Sequence, residues 1–157
     1  MTQQIKADEE HTLITQLLQV AELFDKIRER ELLPQNLSAT AADILFLVDA
    51  MGQNIIPAKI SRMILRETHS ITALLVRMET NGLIKRAKDM ERRSCIRITL
   101  TVKGEKALKK AMKLAGTRHV LSSLTREQRK NLKQTLSILK DAGMKDLQRN
   151  PKALPWP

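Results

Sequence analysis

Between residues 55 and 104 the hydrophobic period of the chain changes from helical to alternating and back to helical. That succession leaves few folds open. Ile56, Ile60, Met63 and Ile64 share the inward face of a short helix whose first turn suits Pro57. Leu65-Arg66-Glu67 makes a tight turn into a second helix over 68–80. There Ile71, Leu74, Leu75 and Met78 face inward, and Asn81-Gly82 stops the helix. Residues 83–88 and 95–100 fit the two strands of a hairpin. In the second strand Ile96, Ile98 and Leu100 alternate with Arg97 and Thr99. Thr101 caps the next helix, with Glu105 near its positive end. That helix runs through Ala107, Leu108, Ala111, Met112 and Ala115, past Gly116 toward Leu121.

Helices are expected on both sides of this segment. Residues 10–31 carry Leu13, Leu17, Val20, Phe24 and Ile27 at helical spacing, with Ile14, Leu18 and Ala21 beside them. Two adjacent apolar stripes exceed what one helix needs to dock on its own core, so a second helix or a second subunit is implied. Pro34 ends the stretch and Gln35-Asn36 fits a turn. Ser38 is placed to cap a helix over 39–51, which Gly52 closes in the left-handed conformation. Thr125-Arg126-Glu127-Gln128 matches a capping box opening a last helix, 126–148, with Leu132, Leu136, Leu139 and Ala142 on one face.

The formal net charge of +11 is unevenly spread. Residues 1–50 hold four basic and nine acidic residues, a net of −5, which leaves +16 for residues 51–157. Such asymmetry suggests a directed polyanion-binding surface, against the plainer reading of a generally solvated basic protein. Eleven basic residues and three acids fall between Lys85 and Lys113. Arg92 and Arg93 lie at the expected hairpin tip, where a guanidinium suits the enhanced negative potential of a narrow minor groove. Asp89 and Glu91 beside them are suited to hold an arginine extended by paired hydrogen bonds. For Lys85 and Lys88 the alternative is a charged hairpin that simply resists aggregation.

The outer face of the helix over 68–80 is Thr68, His69, Thr72, Ala73, Val76, Arg77 and Thr80, preceded by Arg66. An ordinary solvated helix would show Glu and Lys there. Small groups permit close approach to base edges, hydroxyls bond phosphates or bases, and Ala or Val can meet thymine methyls. The competing reading is a helix face that packs on another protein. Turn-linked helices followed by a hairpin and a helix have the layout of a winged helix-turn-helix, which lays one helix in the major groove of duplex DNA. Thr68, Ser70 and Thr72 would meet phosphates or bases, and Lys59 and Arg77 the backbone. The expected DNA-binding set is completed by Arg66, His69, Ala73, Val76, Lys88, Arg92 and Arg93, with Asp89 and Glu91 supporting the wing.

Four segments together resemble the MarR family of bacterial winged-helix regulators over residues 37–108. They are Leu37-Ser38 opening a helix, Arg77-Met78-Glu79-Thr80-Asn81-Gly82-Leu83-Ile84, the acid–arginine tip, and Leu100-Thr101-Val102-Lys103-Gly104. The resemblance implies a homodimer clasped by N- and C-terminal helices on a pseudo-palindromic operator, often a repressor released by a small-molecule effector or by oxidation. The expected fold is mainly α with a small β-hairpin wing, a winged helix-turn-helix flanked by N- and C-terminal dimerisation helices. The chain is read as a single domain, 1–157, with a DNA-binding lobe at 37–108, dimerisation regions at 8–33 and 117–148, and a tail at 149–157. Six residues separate Arg93 from Leu100 where the family usually has five, so Arg92 and Arg93 both remain candidates for the tip. His69 stands where Ser or Arg is commoner, and suits either a base or phosphate contact or a helix cap.

Other classes find little in the chain. No run approaches the roughly 20 apolar residues that cross a bilayer, and no apolar leader follows Met1, so a cytoplasmic protein is expected. Two Phe, one Trp and no Tyr offer few platforms for stacking single-stranded bases. No nucleophile–base–acid set or phosphate-binding glycine loop suggests an enzyme, and no Cys/His cluster suggests a metal or other cofactor. Redox-sensing members of the family generally carry a cysteine near the first helix. Here the single cysteine, Cys95, falls on the second hairpin strand, either buried as structure or activated as a thiolate by Arg92, Arg93 and Arg97. A winged-helix adaptor for a protein partner is the main alternative to a DNA-binding regulator.

Overall fold

The helix from Ala39 to Met51 is apolar nearly all round, and the elements on either side of it in the chain are laid against it. In the computed structural model, which describes residues 8–52, 55–88 and 96–149, the order is α1 (Glu9–Leu32), a 3₁₀ turn (Leu33–Gln35), α2 (Ala39–Met51), α3 (Pro57–Ile64), α4 (Thr68–Thr80), β1 (Ile84–Lys88), β2 (Ile96–Leu100), α5 (Val102–Ala111), α6 (Ala115–Ser122) and α7 (Arg126–Arg149). The mainly helical fold with a small hairpin is the one expected. The chain divides into two compact units, Met1–Thr117 and Arg118–Pro157.

In the first unit Ile44, Leu45 and Val48 of α2 meet Ile60 of α3, Ile71, Leu75 and Met78 of α4, Ile84 and Ile98 of the hairpin, and Leu108 of α5. Removing this apolar surface from water is the main drive for the lobe to close. Ser38 accepts a hydrogen bond from the Ala41 amide (3.2 Å) and so caps α2. Thr101 caps α5 in the same way, accepting from the Gly104 amide (3.0 Å). Gly104 is needed there for space, since a Cβ would stand 2.0 Å from the Leu83 carbonyl oxygen.

The strands pair antiparallel, with Ile84 opposite Leu100, Arg86 opposite Ile98 and Lys88 opposite Ile96. Ile55, fully buried, adds a one-residue bridge on the other edge of β2, where the Ile98 amide donates to its carbonyl (3.3 Å). Nothing in the local pattern announces that bridge. Cys95 and the tip residues 89–94 lie outside the described residues.

Three expectations change. Met63 is not inward but 47% exposed. In so short a helix Ile60, Ser61 and Ile64 occupy the inner stripe, and Met63 falls about 100° round from its centre. Gly52 takes φ +65° with ψ −162°, a conformation beyond the left-handed helical region and essentially reserved for glycine. The helix expected from 102 to 121 is two helices. The Gly116 amide, which a continuous helix would give to the Met112 carbonyl, donates instead to Glu31 Oε1 of α1 (2.8 Å). A Cβ at Gly116 would also stand 2.7 Å from Ile27 Cγ2.

The start of α1 stands apart from this core. Leu13, Ile14, Leu17, Leu18, Val20 and Leu23 are all exposed, Leu13 by 65%. Toward its C-terminal end Arg28 ties α1 to α2 by an ion pair with Asp43 and a hydrogen bond to the Ala39 carbonyl (3.4 Å). In the second unit α7 opens on the expected capping box: the Gln128 amide donates to Thr125 Oγ1 (3.2 Å) and the Thr125 amide to Gln128 Oε1 (2.8 Å). Its Leu132, Leu136, Ile138 and Leu139 are exposed.

Candidate nucleic-acid interface

Burial along α4 follows the period of the sequence. Ile71, Leu75 and Met78 are buried and Leu74 partly so. Thr68, His69, Ser70, Thr72, Ala73, Val76, Arg77 and Thr80 are exposed, Val76 by 42%. The first turn holds no acid. The lobe thus presents a face of short side chains and one arginine, with Arg66 exposed immediately before it.

The turn that sets α4 against α3 is organised by Ser61, which sequence reasoning passed over. Among the described residues it is the one polar side chain that is buried. The hydroxyl donates to the Arg66 carbonyl (2.6 Å) and lies 3.1 Å from Thr68 Oγ1, which can donate to it. The Arg66 amide donates back to the Ser61 carbonyl (3.1 Å). Leu65, between them, sits in the left-handed region at φ +58°, which favours glycine. A serine on an apolar helix face just before a turn was the available signal.

Several hydroxyls of the exposed face are already engaged. Thr72 donates to the Thr68 carbonyl (2.8 Å) and Thr80 to the Val76 carbonyl (3.0 Å). Ser70 Oγ lies 3.3 Å from His69 Nε2. A phosphate is an acceptor only, so these protons must swing outward before they can meet one. As they stand, the Thr72 and Thr80 oxygens are free to accept, for example from an adenine or cytosine amino group.

At the other end of α4, Glu79 is spent on the hairpin. Its Oε1 accepts from the Arg86 amide (3.0 Å) and its Oε2 from Arg86 Nε (2.7 Å). The guanidinium hydrogen bond, with the amide bond beside it, holds the Glu79 carboxyl below the usual carboxylate range. Arg86 therefore drops out of the open cationic surface suggested by the charge count. Lys85 and Lys88 of β1 are exposed, as is Lys59 of α3. Lys103 Nζ donates to the Asn81 carbonyl (2.7 Å) at the C-terminal end of α4. Arg92, Arg93, Asp89 and Glu91 fall outside the described residues.

Two depressions adjoin the back of the exposed face. The larger, about 460 Å³, lies among the end of α1, the start of α2 and the second half of α4, with Glu29, Leu33, Ala41, Met78 and Leu83 in its walls. The smaller, about 210 Å³, opens between the start of α2 and the first half of α4. Ser38, Leu74 and Arg77 border both. Among the described residues no cluster of His, Cys, Asp and Glu is arranged to hold a metal, and no helix is long and apolar enough to cross a membrane.

No family model and no curated protein matches the sequence. Solved structures do. The chain is similar to the organohalide-sensing transcriptional regulator RdhR in its 2,4-dichlorophenol-bound form, at 28% identity and a TM-score of 0.80, over 97% of this chain and 92% of that one. It shares its fold with a mutant of MarR from E. coli complexed with operator DNA (17% identity, TM-score 0.73, 85% of this chain and 99% of that one). The same holds for MepR of S. aureus in a DNA complex (18% identity, TM-score 0.73, 86% of this chain and 99% of that one).

Proposed function

Because the chain belongs to the MarR family of winged-helix transcriptional regulators, we propose that it binds double-stranded DNA as a cytoplasmic homodimeric repressor, with α4 in the major groove and the hairpin at the adjoining minor groove. The observation that carries this reading is the acid-free, exposed set Thr68, His69, Ser70, Thr72, Ala73, Val76 and Arg77 on a helix whose other side is locked into the core. Rigid support on one side and short side chains on the other are what close approach to base edges requires. Arg66, Lys59 and Lys88 add positive charge for phosphates, and Arg92 and Arg93 are assigned to the minor groove, with Asp89 or Glu91 holding the arginine.

The exposed apolar stripes of α1 and α7 support the homodimer. Leucine faces of this extent are unusual on an isolated soluble subunit. Two-fold symmetry then calls for half-sites about 34 Å apart, one turn of the duplex. A small-molecule effector is part of the proposal. It is supported by the cavity beside α4 and by the bound 2,4-dichlorophenol in the similar regulator RdhR.

Selection of bound fragments from a random duplex pool tests the reading. An enriched inverted repeat is expected, with log affinity falling linearly against log salt at about 0.9 per neutralised phosphate. No enrichment, together with binding that ignores salt, would leave the protein-partner adaptor as the surviving account.

A further inference from the structure

The smaller cleft brings together groups that lie far apart in the chain. Ser38 and Thr40, at the start of α2, face Arg66, Ser70 and Arg77 across it, above an apolar floor that includes Leu74. Neither arginine forms an ion pair among the described residues. The Thr40 hydroxyl has no hydrogen-bond partner among them. Ser38 Oγ is used only as an acceptor, from the Ala41 amide, so its own proton is free to donate outward. The first amides of the 13-residue α2, at Ala39 and Thr40, have no partner within the helix and add positive potential at this point. No acidic side chain lines the cleft. Two unpaired guanidinium groups and two free hydroxyl protons around one opening make a seat for a tetrahedral oxyanion.

We propose that this cleft, lined by Ser38, Thr40, Arg66 and Arg77, receives one phosphodiester of the DNA backbone in each half-site, so that α2, outside the turn-linked helix pair, also clamps the duplex. The inference rests on the DNA-binding reading of α4 and names a contact that reading does not contain. Its source is the backbone rather than a free anion because Ser70 and Arg77 belong at once to the cleft and to the exposed face of α4. A duplex lying along that face carries its phosphates past the opening. The Thr40 and Ser38 donors would fix the register of α4 in its groove without reading sequence.

The test uses the full-length protein and the duplex it selects, with a single neutral methylphosphonate linkage moved one position at a time through a half-site. One linkage is expected to weaken the wild type about tenfold, as loss of a charge-assisted hydrogen bond would. That linkage should weaken Thr40→Val by clearly less than it weakens the wild type, because one of the contacts it removes is already gone while those of Ser38, Arg66 and Arg77 remain. Thr40→Ser should restore the wild-type response, which separates a lost hydroxyl from a disturbed helix. Fully additive losses at every linkage would overturn the clamp while leaving DNA binding by α4 intact. Failure of the wild type to bind any duplex would overturn both. Inorganic phosphate provides the remaining arm. Saturable phosphate binding that depends on Thr40, without a Thr40-dependent linkage, would reassign the seat to a free anion and overturn the backbone assignment.

Discussion

Glu79, one residue from the end of α4, grips Arg86 of β1 twice, accepting from the backbone amide at 3.0 Å and from the guanidinium at 2.7 Å. Both atoms of the carboxylate are therefore committed to the hairpin. The pair fixes the angle between the helix assigned to the major groove and the base of the wing assigned to the minor groove.

Acid should loosen this joint. The folded-state pKa of Glu79 is lowered, chiefly by the Arg86 hydrogen bond. Its contribution is therefore complete above the unfolded value, about 4.3, and is lost as the pH falls through the lower folded value. Glu79→Gln is expected to melt below the wild type at neutral pH and to converge with it in strong acid. A constant difference in melting temperature across that range would show that the charge of Glu79 is not what matters.

Ser61→Ala should destabilise the lobe by about 1–3 kcal/mol, because it strips a partner from the Arg66 carbonyl and from the Thr68 hydroxyl. Denaturant unfolding measures the loss. The same variant should bind DNA more weakly than its stability alone explains, since the turn that sets the N-terminal end of α4 is relaxed.

Arg92→Ala and Arg93→Ala decide the role of the wing. The variant that removes the arginine at the groove edge is expected to cost ~1–3 kcal/mol of DNA affinity, measured by titration at fixed salt. If neither variant changes affinity, the wing is not a DNA contact.

Leu17, 44% exposed on α1, stands among the leucines assigned to the subunit interface. Leu17→Glu should shift sedimentation toward the monomer at micromolar concentration, since a carboxylate desolvated in an apolar contact is strongly disfavoured. An unaltered dimer would place the interface elsewhere.

Much of the fold was legible because its signals are local. The bounds of α4 follow from Ile71, Leu74, Leu75 and Met78 at helical spacing and from Asn81-Gly82 at the end. The caps Ser38, Thr101 and Thr125 act over three residues, so composition and spacing alone reveal them. The candidate face of α4 was legible for the same reason, being what remains once the buried stripe is subtracted. Met63 was misplaced because a short helix gives too few turns to fix the centre of its stripe.

The sequence by itself therefore determined the order of helices and strands as far as α5, the caps Ser38, Thr101 and Thr125, and which side of α4 is free. Tertiary structure decided how the charges are used. Arg86 is a cation in any count, yet the hairpin register delivers it to Glu79, where its charge is paired. Glu31 reaches across from α1 to take the Gly116 amide and so breaks a helix that its own residues would continue. Ser38, Thr40, Arg66 and Arg77 surround one cleft only after α2 and α4 have packed. Periodicity reports burial along one element, because hydrophobic free energy follows local area. Pairing between polar groups depends instead on distance and on which waters are excluded, and both are set only when separate elements meet.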